Sequence, residues 1–396
     1  MESIIKQKID SIANCIFAKI QKEEDSFGLY DGKFGYFLFL FYYSKYSKKK
    51  KYANIVENYA EKILNEFIQR AKLHTFCGGL SGILYLFDFL RENDFIDMDV
   101  SNVQPLLDNY LVSGMRQNIS DNYYDFMHGA LGVGLYFLKK GTGLEYVREL
   151  IDFLYATAEK SDDNRIFKWK SVIIDKDEEL RSAYNLALSH GISSIIIFLS
   201  RVIKSGISDN KVTEMLSGAV NYVFSQEKDF SKVRSYFSNY ILIDSPETFS
   251  KSRLAWCYGD LGIGLAVWQA GKTLEKIEWQ RKGFTILLQS TQRRDIIENF
   301  VRDAGICHGS AGVALIYRRM FMETYRNQFK EATAYWIQQT LNFSCFDDGL
   351  SGYKTQHKNE WICDYSLLTG ISGIGLVLLS YLENNQQTWD EMFLIS

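Results

Sequence analysis

The sequence is short of proline and has no long apolar run. Its 396 residues include only Pro105 and Pro246, and proline disrupts helix interiors, so long helices are permitted almost everywhere. The most apolar stretches, 36–43 and 195–199, are far below the roughly 20 residues that cross a bilayer. The amino-terminal decapeptide MESIIKQKID mixes charged and apolar residues, unlike a secretory signal. We therefore expect a soluble, cytoplasmic protein without a transmembrane segment.

Positive charge is not in excess either. The formal net charge is −3 and the pI is near 6.0, so no broad basic surface for nucleic acid is expected. The six cysteines are scattered rather than grouped in a disulfide framework. In a cytosolic chain such cysteines are first interpreted as buried residues, metal ligands or nucleophiles. What the chain does have is 15% aromatic residues, which predicts a core of bulky side chains.

An internal repeat organises the whole chain. A Gly-x-x-Gly step followed by a strongly apolar run occurs seven times, the fourth copy having Ser194 in place of its second glycine. The first glycines, 47 to 68 residues apart, are Gly32, Gly79, Gly129, Gly191, Gly259, Gly309 and Gly370. Between the steps lie segments with the apolar periodicity of amphipathic helices, for example over 52–70. The piece at 165–174 is predicted to be extended.

Each repeat therefore predicts a hairpin of one amphipathic outer helix and one buried inner helix that begins at its glycine step. An open solenoid would carry polar faces on its end repeats, but the last copy, GISGIGLVLLSYL, is as apolar as the middle ones. Seven hairpins that close into a ring bury every inner helix. The predicted fold is all-α, a double-layered α/α toroid that forms one domain over residues 1–396.

The repeat also brings polar residues to one end of the ring, because residues just before each step share a register. These are Asp125, His190, Cys257, Cys307 and His308. Repeats five and six are neighbours, so Cys257 can face Cys307 and His308, and two thiolates with one imidazole make a soft Zn²⁺ site with an open fourth position. Cys77 and His128 have equivalent offsets, and the register does not exclude them. Since they lie further round the ring, we interpret Cys77 as a core residue and His128 as a rim or substrate-groove residue.

Two segments then resemble the signatures of a known family. RLAWCYGDLG at 253–262 and CHGSAG at 307–312 are similar to the WCYGxxG and CHGxxG signatures of the lanthionine synthetase C (LanC) family, and with the repeats the resemblance covers nearly the whole chain. It implies an α/α toroid that binds one zinc ion. The ligands that it implies are Cys257, Cys307 and His308.

The resemblance implies an enzyme, a zinc-dependent lanthionine synthetase. Such a cyclase adds peptide cysteine thiols to dehydroalanine or dehydrobutyrine in a dehydrated lantibiotic precursor peptide, forming thioether rings by Michael-type addition. Ser-His-Gly at 189–191 resembles the segment with the family's catalytic histidine, so His190 would accept the thiol proton or deliver the last proton. Asp125 would orient His190 or pair with Arg253, and Arg253 and Tyr258 would stabilise the enolate oxygen.

The resemblance further implies a dehydratase and an export transporter as partners in a biosynthetic complex, and through them an association with the membrane. The sequence departs from the family pattern at Ser194 and at Leu261, where many members have proline.

Three alternatives stay open. The first is a LanC-like protein that adds glutathione or another small thiol to dehydroamino acids. The second is a non-catalytic toroid that binds peptides. The third is a glycosidase-type α/α barrel, which ranks last because glycosidases usually need paired carboxylates and the helix starts offer cysteines.

Overall fold

The fold is described by a computed structural model that covers residues 1–20, 26–57, 73–96, 103–174, 178–247, 250–383 and 387–396. Its helices are α1 (Glu2–Ile20), α2 (Lys33–Ser47), α3 (Leu80–Glu92), α4 (Gln104–Ser120), α5 (Ala130–Lys140), α6 (Leu144–Thr157), α7 (Ile192–Lys204), α8 (Asn210–Ser225), the short α9 (Phe230–Val233), α10 (Asp260–Thr273), α11 (Ile277–Ser290), α12 (Ser310–Thr324), α13 (Asn327–Asn342) and α14 (Ile371–Leu382). A 3₁₀ helix spans Trp389–Phe393. Residues 51–57 are also helical, while the rest of the helix predicted over 52–70 lies outside the described residues.

Every glycine step begins a helix, as the sequence predicts. The first glycine of each step is the N-cap residue of α2, α3, α5, α7, α10, α12 or α14. The second glycine allows a close approach: a Cβ at Gly82 would lie 1.9 Å from the Phe76 carbonyl oxygen, and one at Gly312 would lie 1.9 Å from that of Ile306. Any larger side chain at these two positions would force the backbone apart.

The glycine-step helices are buried nearly all round, and the helices between them are amphipathic. In α14, for example, every residue from Ile371 to Ser380 is buried, whereas α6 buries only Val147, Leu150, Ile151, Phe153 and Leu154. This contrast is the one that the sequence periodicity predicts. It arises because a helix that is apolar on one stripe can cover the core on that stripe only.

The chain divides into two compact units. The first, Met1–Gly114 with Arg302–Ser396, packs α2 against α1, α3 and α14, and α12 against α13 and α14. The second, Met115–Val301, packs α7 against α5, α8 and α10, and α10 also against α11. The single domain expected over 1–396 stays a prediction.

Short strands lie in the long gaps between repeats. β1 (Glu159–Lys160) pairs with β2 (Phe167–Lys168), and β3 (Ser171–Ile174), β4 (Leu180–Asn185) and β5 (Tyr240–Leu242) form an antiparallel sheet in that order. The extended piece predicted at 165–174 is therefore confirmed by β2 and β3. A hairpin of β6 (Thr355–His357) and β7 (Glu360–Ile362) precedes α14. In the part of the chain that the structure describes, no helix is long and apolar enough to cross a bilayer.

Candidate active site

Backbone hydrogen bonds join the segments that precede the glycine steps. In the unit of residues 115–301, the Cys257 carbonyl accepts hydrogen bonds from the amides of Leu188 (3.0 Å) and Ser189 (3.3 Å), immediately before His190. In the other unit, the Tyr30 amide donates to the Cys77 carbonyl (2.9 Å) and the Cys307 amide to the Leu368 carbonyl (2.9 Å). The shared register that the sequence predicts for these residues therefore has a physical basis, since neighbouring segments bond at the same position of the repeat.

His190 and Asp125 form a close pair. His190 Nδ1 lies 2.7 Å from Asp125 Oδ2, and the other oxygen of Asp125 accepts the His128 amide at 2.8 Å. The Asp125 side chain is 7% exposed and that of His190 is 31% exposed. A carboxylate that holds Nδ1–H fixes the tautomer and orientation of the imidazole, and it leaves Nε2 for proton transfer. Asp125 is expected either to orient His190 or to pair with Arg253, and the structure shows its contact with His190.

The surroundings of His190 favour its protonated form. Burial alone would lower its pKa, but the hydrogen bond and charge of Asp125, together with Cys257, outweigh burial and raise the pKa above its usual value of 6.5. Near neutral pH a raised pKa gives a larger fraction of imidazolium. The contact with Asp125 therefore stabilises the imidazolium form of His190.

A cavity of about 260 Å³ opens at this pair. Its walls come from the loop between α4 and α5, from β3 with the residue before it, from β4, and from the segment before α7. The lining residues are Asp121, Asn122, Tyr123, Tyr124, Asp125, Lys170, Ser171, Val172, Ser182 and His190. The cavity therefore gives a small substrate group access to the His190–Asp125 pair.

Two further predicted residues lie on the loop before α10. Tyr258 is half-buried, its ring centroid lies 6.3 Å from that of His190, and its hydroxyl lies 3.5 Å from Asn185 Nδ2. Arg253 is also half-buried. The loop bends at Gly259, whose φ is +90°, and a Cβ there would lie 2.3 Å from the Arg253 carbonyl oxygen. Glycine at 259 is thus required for the path of this loop.

A buried ion pair joins the start of α10 to two other loops, the one after α11 and the one after α9. Arg293 Nη1 lies 2.9 Å from Asp260 Oδ2, and both side chains are almost fully buried. Asp260 also accepts the amides of Tyr236 and Phe237, each at 3.1 Å to Oδ1. Burial raises the pKa of Asp260, and the nearby Arg293 opposes that effect. The first turn of α10, three residues after Cys257, is therefore anchored by charge.

Cys307 and His308 lie in the other unit, directly before α12. Cys307 is half-buried. His308 Nε2 lies 3.3 Å from Oδ2 of Asp303, whose side chain is 1% exposed. A histidine that binds a metal usually donates its second ring N–H to a carboxylate, so this contact suits a metal-binding imidazole.

The three proposed zinc ligands come from both units, since Cys257 belongs to residues 115–301 and the other two do not. Among the described residues, no group of three or more His, Cys, Asp or Glu side chains is arranged to hold a metal. Two thiols and an imidazole remain a suitable donor set for Zn²⁺. The zinc site stays a prediction.

The two residues left open by the register have different settings. Cys77 is buried, as expected of a core residue. His128 is exposed, and its ring stacks on that of His190 with centroids 5.9 Å apart and an interplanar angle of 16°. The structure thus places His128 next to the His190 imidazole, and its interpretation as a rim or substrate-groove residue stays a prediction. Ser194, the departure in the fourth step, donates from its hydroxyl to the Gly191 carbonyl at 2.7 Å, and α7 still begins in the register of the other steps.

Sequence reasoning missed Asp303 and Asn185, although a signal was present. Each lies six residues before the first glycine of its step, as Asp364 does in the last repeat. In all three, Oδ1 accepts the amide two residues later, at 3.0, 3.0 and 2.7 Å, which is the Asx-turn geometry. A search for Asp or Asn at that offset would have identified them.

The chain is similar to known proteins over most of its length. The family model "Lanthionine synthetase C-like protein" matches residues 23–394. The chain is 22% identical over 383 residues to the nisin biosynthesis protein NisC of Lactococcus lactis subsp. lactis, covering 88% of this chain and 90% of that protein. A solved structure titled nisin cyclase superimposes with a TM-score of 0.78 at 21% identity, over 99% of this chain and 97% of that one.

The structural match confirms the fold class predicted from the glycine steps, an all-α toroid of helical hairpins. The family match extends over most of the sequence and includes every candidate site residue. The chain belongs to the lanthionine synthetase C-like family.

Proposed function

We propose that this protein is a lanthionine-forming cyclase that adds peptide cysteine thiols to dehydroalanine or dehydrobutyrine in a dehydrated precursor peptide. The observation that carries the proposal is the buried Asp125–His190 pair at 2.7 Å on the wall of an open cavity. A relative of similar length, NisC, is named for nisin biosynthesis, and the shared family supports the same class of reaction here.

Cys257, Cys307 and His308 would hold one zinc ion, and the contact of His308 with Asp303 supports that assignment. When bound, zinc favours the thiolate form of a substrate cysteine. The ordinary pKa of a free thiol is near 8.5, so this activation is needed near neutral pH. Cys257, through its carbonyl, is tied to the segment that carries His190, and the proposed ligand and the proton donor therefore share one rigid backbone.

His190 supplies the proton chemistry. Attack of the thiolate sulfur on the β-carbon forms the C–S bond, moves the double-bond electrons toward the carbonyl oxygen as an enolate, and leaves the α-carbon in need of a proton. The raised pKa of His190 suits it to donate that proton from Nε2, while its Nδ1–H stays in place and donates to the Asp125 carboxylate. We assign the enolate oxygen to Tyr258, whose ring lies 6.3 Å from that of His190, and to Arg253 on the same loop.

The test uses a synthetic peptide with one dehydroalanine and one cysteine. Wild-type protein should consume the free thiol, detected by alkylation and mass spectrometry, without a change of peptide mass. His190→Asn should lose this activity, and the control His357→Asn, at an exposed histidine on β6, should retain it. Persistent free thiol with wild-type protein, or ring formation by His190→Asn at the normal rate, would contradict the proposal.

The same assay separates the small-thiol alternative. If glutathione is the true donor, the peptide gains the mass of glutathione in its presence and closes no ring without it. A cytoplasmic location and a complex with a dehydratase and an export transporter remain predictions. Co-purification of those proteins from the native cell would test them.

A further inference from the structure

Three large apolar side chains are exposed on one face of the small sheet beside the cavity. Val172 and Ile174 on β3 are 66% and 68% exposed, and Leu180 on β4 is 75% exposed. Val172 and Ile174 are two residues apart and Ile174 pairs directly with Leu180, so all three point to the same side of the sheet. We call these three residues the apolar strip.

The opposite face of the same two strands is covered. Ile173 is 7% exposed and Ala183 is fully buried, so the sheet packs on the core with one face and presents the apolar strip with the other. Outward-facing positions of such a sheet are usually polar. Contiguous exposed apolar side chains on a protein surface mark sites that bind other proteins, membranes or ligands.

The apolar strip is continuous with the candidate active site. Val172 belongs both to the strip and to the wall of the cavity that contains His190 and Asp125, and its pairing partner Ser182 lines the same wall. A ligand that reaches His190 through this cavity therefore passes along β3.

We propose that the apolar strip binds the precursor peptide in an extended conformation next to its reacting residues. At about 260 Å³ the cavity is below the roughly 300–1,000 Å³ of pockets that enclose whole drug-sized ligands, so most of a peptide must lie outside it. Exposed side chains two residues apart on β3 match the spacing of alternate side chains in an extended chain. The favoured substrate thus has apolar residues at alternate positions beside the dehydroamino acid or cysteine.

A second copy of the chain fits the strip less well. Standard protein interfaces use roughly 20–30 residues on each side, and the strip provides three. Outer strand β3 pairs only with β4 among the described strands, so its other edge offers backbone groups to a single peptide.

The inference rests on the proposed function but can be tested apart from it. The strip variant is Val172→Ser/Ile174→Ser/Leu180→Ser, and the matched control is Leu106→Ser/Ile277→Ser/Ile297→Ser, three exposed apolar residues (64%, 54% and 81%) that do not line the cavity. The probe is a fluorescein-labelled peptide with leucine at alternate positions around a cysteine and an alanine in place of dehydroalanine, so it cannot react. Binding is measured by fluorescence anisotropy.

The strip variant should bind this peptide at least about tenfold more weakly, equivalent to about 1.4 kcal/mol, while the control binds as wild type. With the reactive dehydroalanine peptide, KM should rise by a similar factor and kcat should change little. A probe with serine in place of leucine should bind wild type and strip variant equally weakly.

Equal affinity of wild type and strip variant for the leucine probe would overturn the inference. So would a change of oligomeric state in the strip variant by sedimentation velocity, which would assign the strip to a second copy. If wild type binds the unreactive probe through the strip but closes no ring, the proposed function fails and the binding surface stands.

Discussion

Replacing Asp125 by asparagine should lower the pKa of His190 by about one unit. Asp125 Oδ2 is 2.7 Å from His190 Nδ1, and its side chain is buried. A hydrogen bond to a charged group contributes roughly 1.5–3 kcal/mol and one between neutral groups about 1 kcal/mol. The difference of roughly 0.5–2 kcal/mol has a midpoint that corresponds to about one unit, because one pKa unit is about 1.36 kcal/mol.

The pKa of His190 can be measured directly by NMR on protein labelled at histidine Cε1, since the chain has only five histidines. His190→Asn assigns the resonance. Asp121→Asn is the matched control, because Asp121 lines the same cavity but is exposed. An unchanged or higher His190 pKa in Asp125→Asn, or an equal decrease in Asp121→Asn, would refute the reasoning.

The same substitution should change stability in a pH-dependent way. The pKa of His190 is raised in the folded state, so its contribution to stability is fully present below the unfolded value, near 6.5, and is lost as pH rises through the folded value. Asp125→Asn should therefore destabilise the protein more at pH 5.5 than at pH 8.5, by about 1.4 kcal/mol for one unit. Ring formation should also decline at a lower pH in the variant, because less imidazolium remains.

Two other perturbations have clear expectations. Arg293→Met should lower the free energy of unfolding, measured by chemical denaturation, by about 3–5 kcal/mol, because it leaves the buried Asp260 carboxylate without its partner. The double variant Arg293→Met/Asp260→Leu should recover much of that loss. Wild-type stability of Arg293→Met would contradict this reasoning. Cys257→Ala and Cys307→Ala should each reduce bound zinc, measured by elemental analysis, from one equivalent per chain to almost none. The control is Cys345→Ala, which changes an exposed cysteine. Full zinc retention in both the Cys257 and the Cys307 variant would rule these two residues out as ligands.

Helix starts were predictable because the glycine steps are required by contact. Gly82 and Gly312 approach a carbonyl oxygen so closely that no side chain fits, and such a requirement leaves a fixed sequence pattern. The burial of the glycine-step helices was equally predictable from their composition, since α14 has almost no polar residues and is buried on all sides. The repeat therefore determined both the boundaries and the two classes of helix.

The neighbours of the site were less predictable because they depend on tertiary pairing. That Asp125 contacts His190 rather than another partner follows from the packing of α5 against α7, which local sequence does not encode. Asp303 was overlooked because a lone carboxylate in a loop has many possible roles. The exposed position of Val172 depends on strand register, and a shift of one residue would have exposed Ile173 instead.

The amide-to-carbonyl links before the glycine steps have a consequence for engineering this protein. The bonds from the amides of Tyr30 to Cys77, Leu368 to Tyr30 and Cys307 to Leu368 use only main-chain atoms, so any residue with a backbone N–H can form them. Tyr30 is fully buried, whereas Leu368 is only half-buried. Leu368 could thus be exchanged for cysteine or histidine without disturbing the scaffold that carries Cys307. In this architecture the main chain before each glycine step is held independently of the reactive side chains, so new metal-binding or nucleophilic side chains could be introduced there one position at a time.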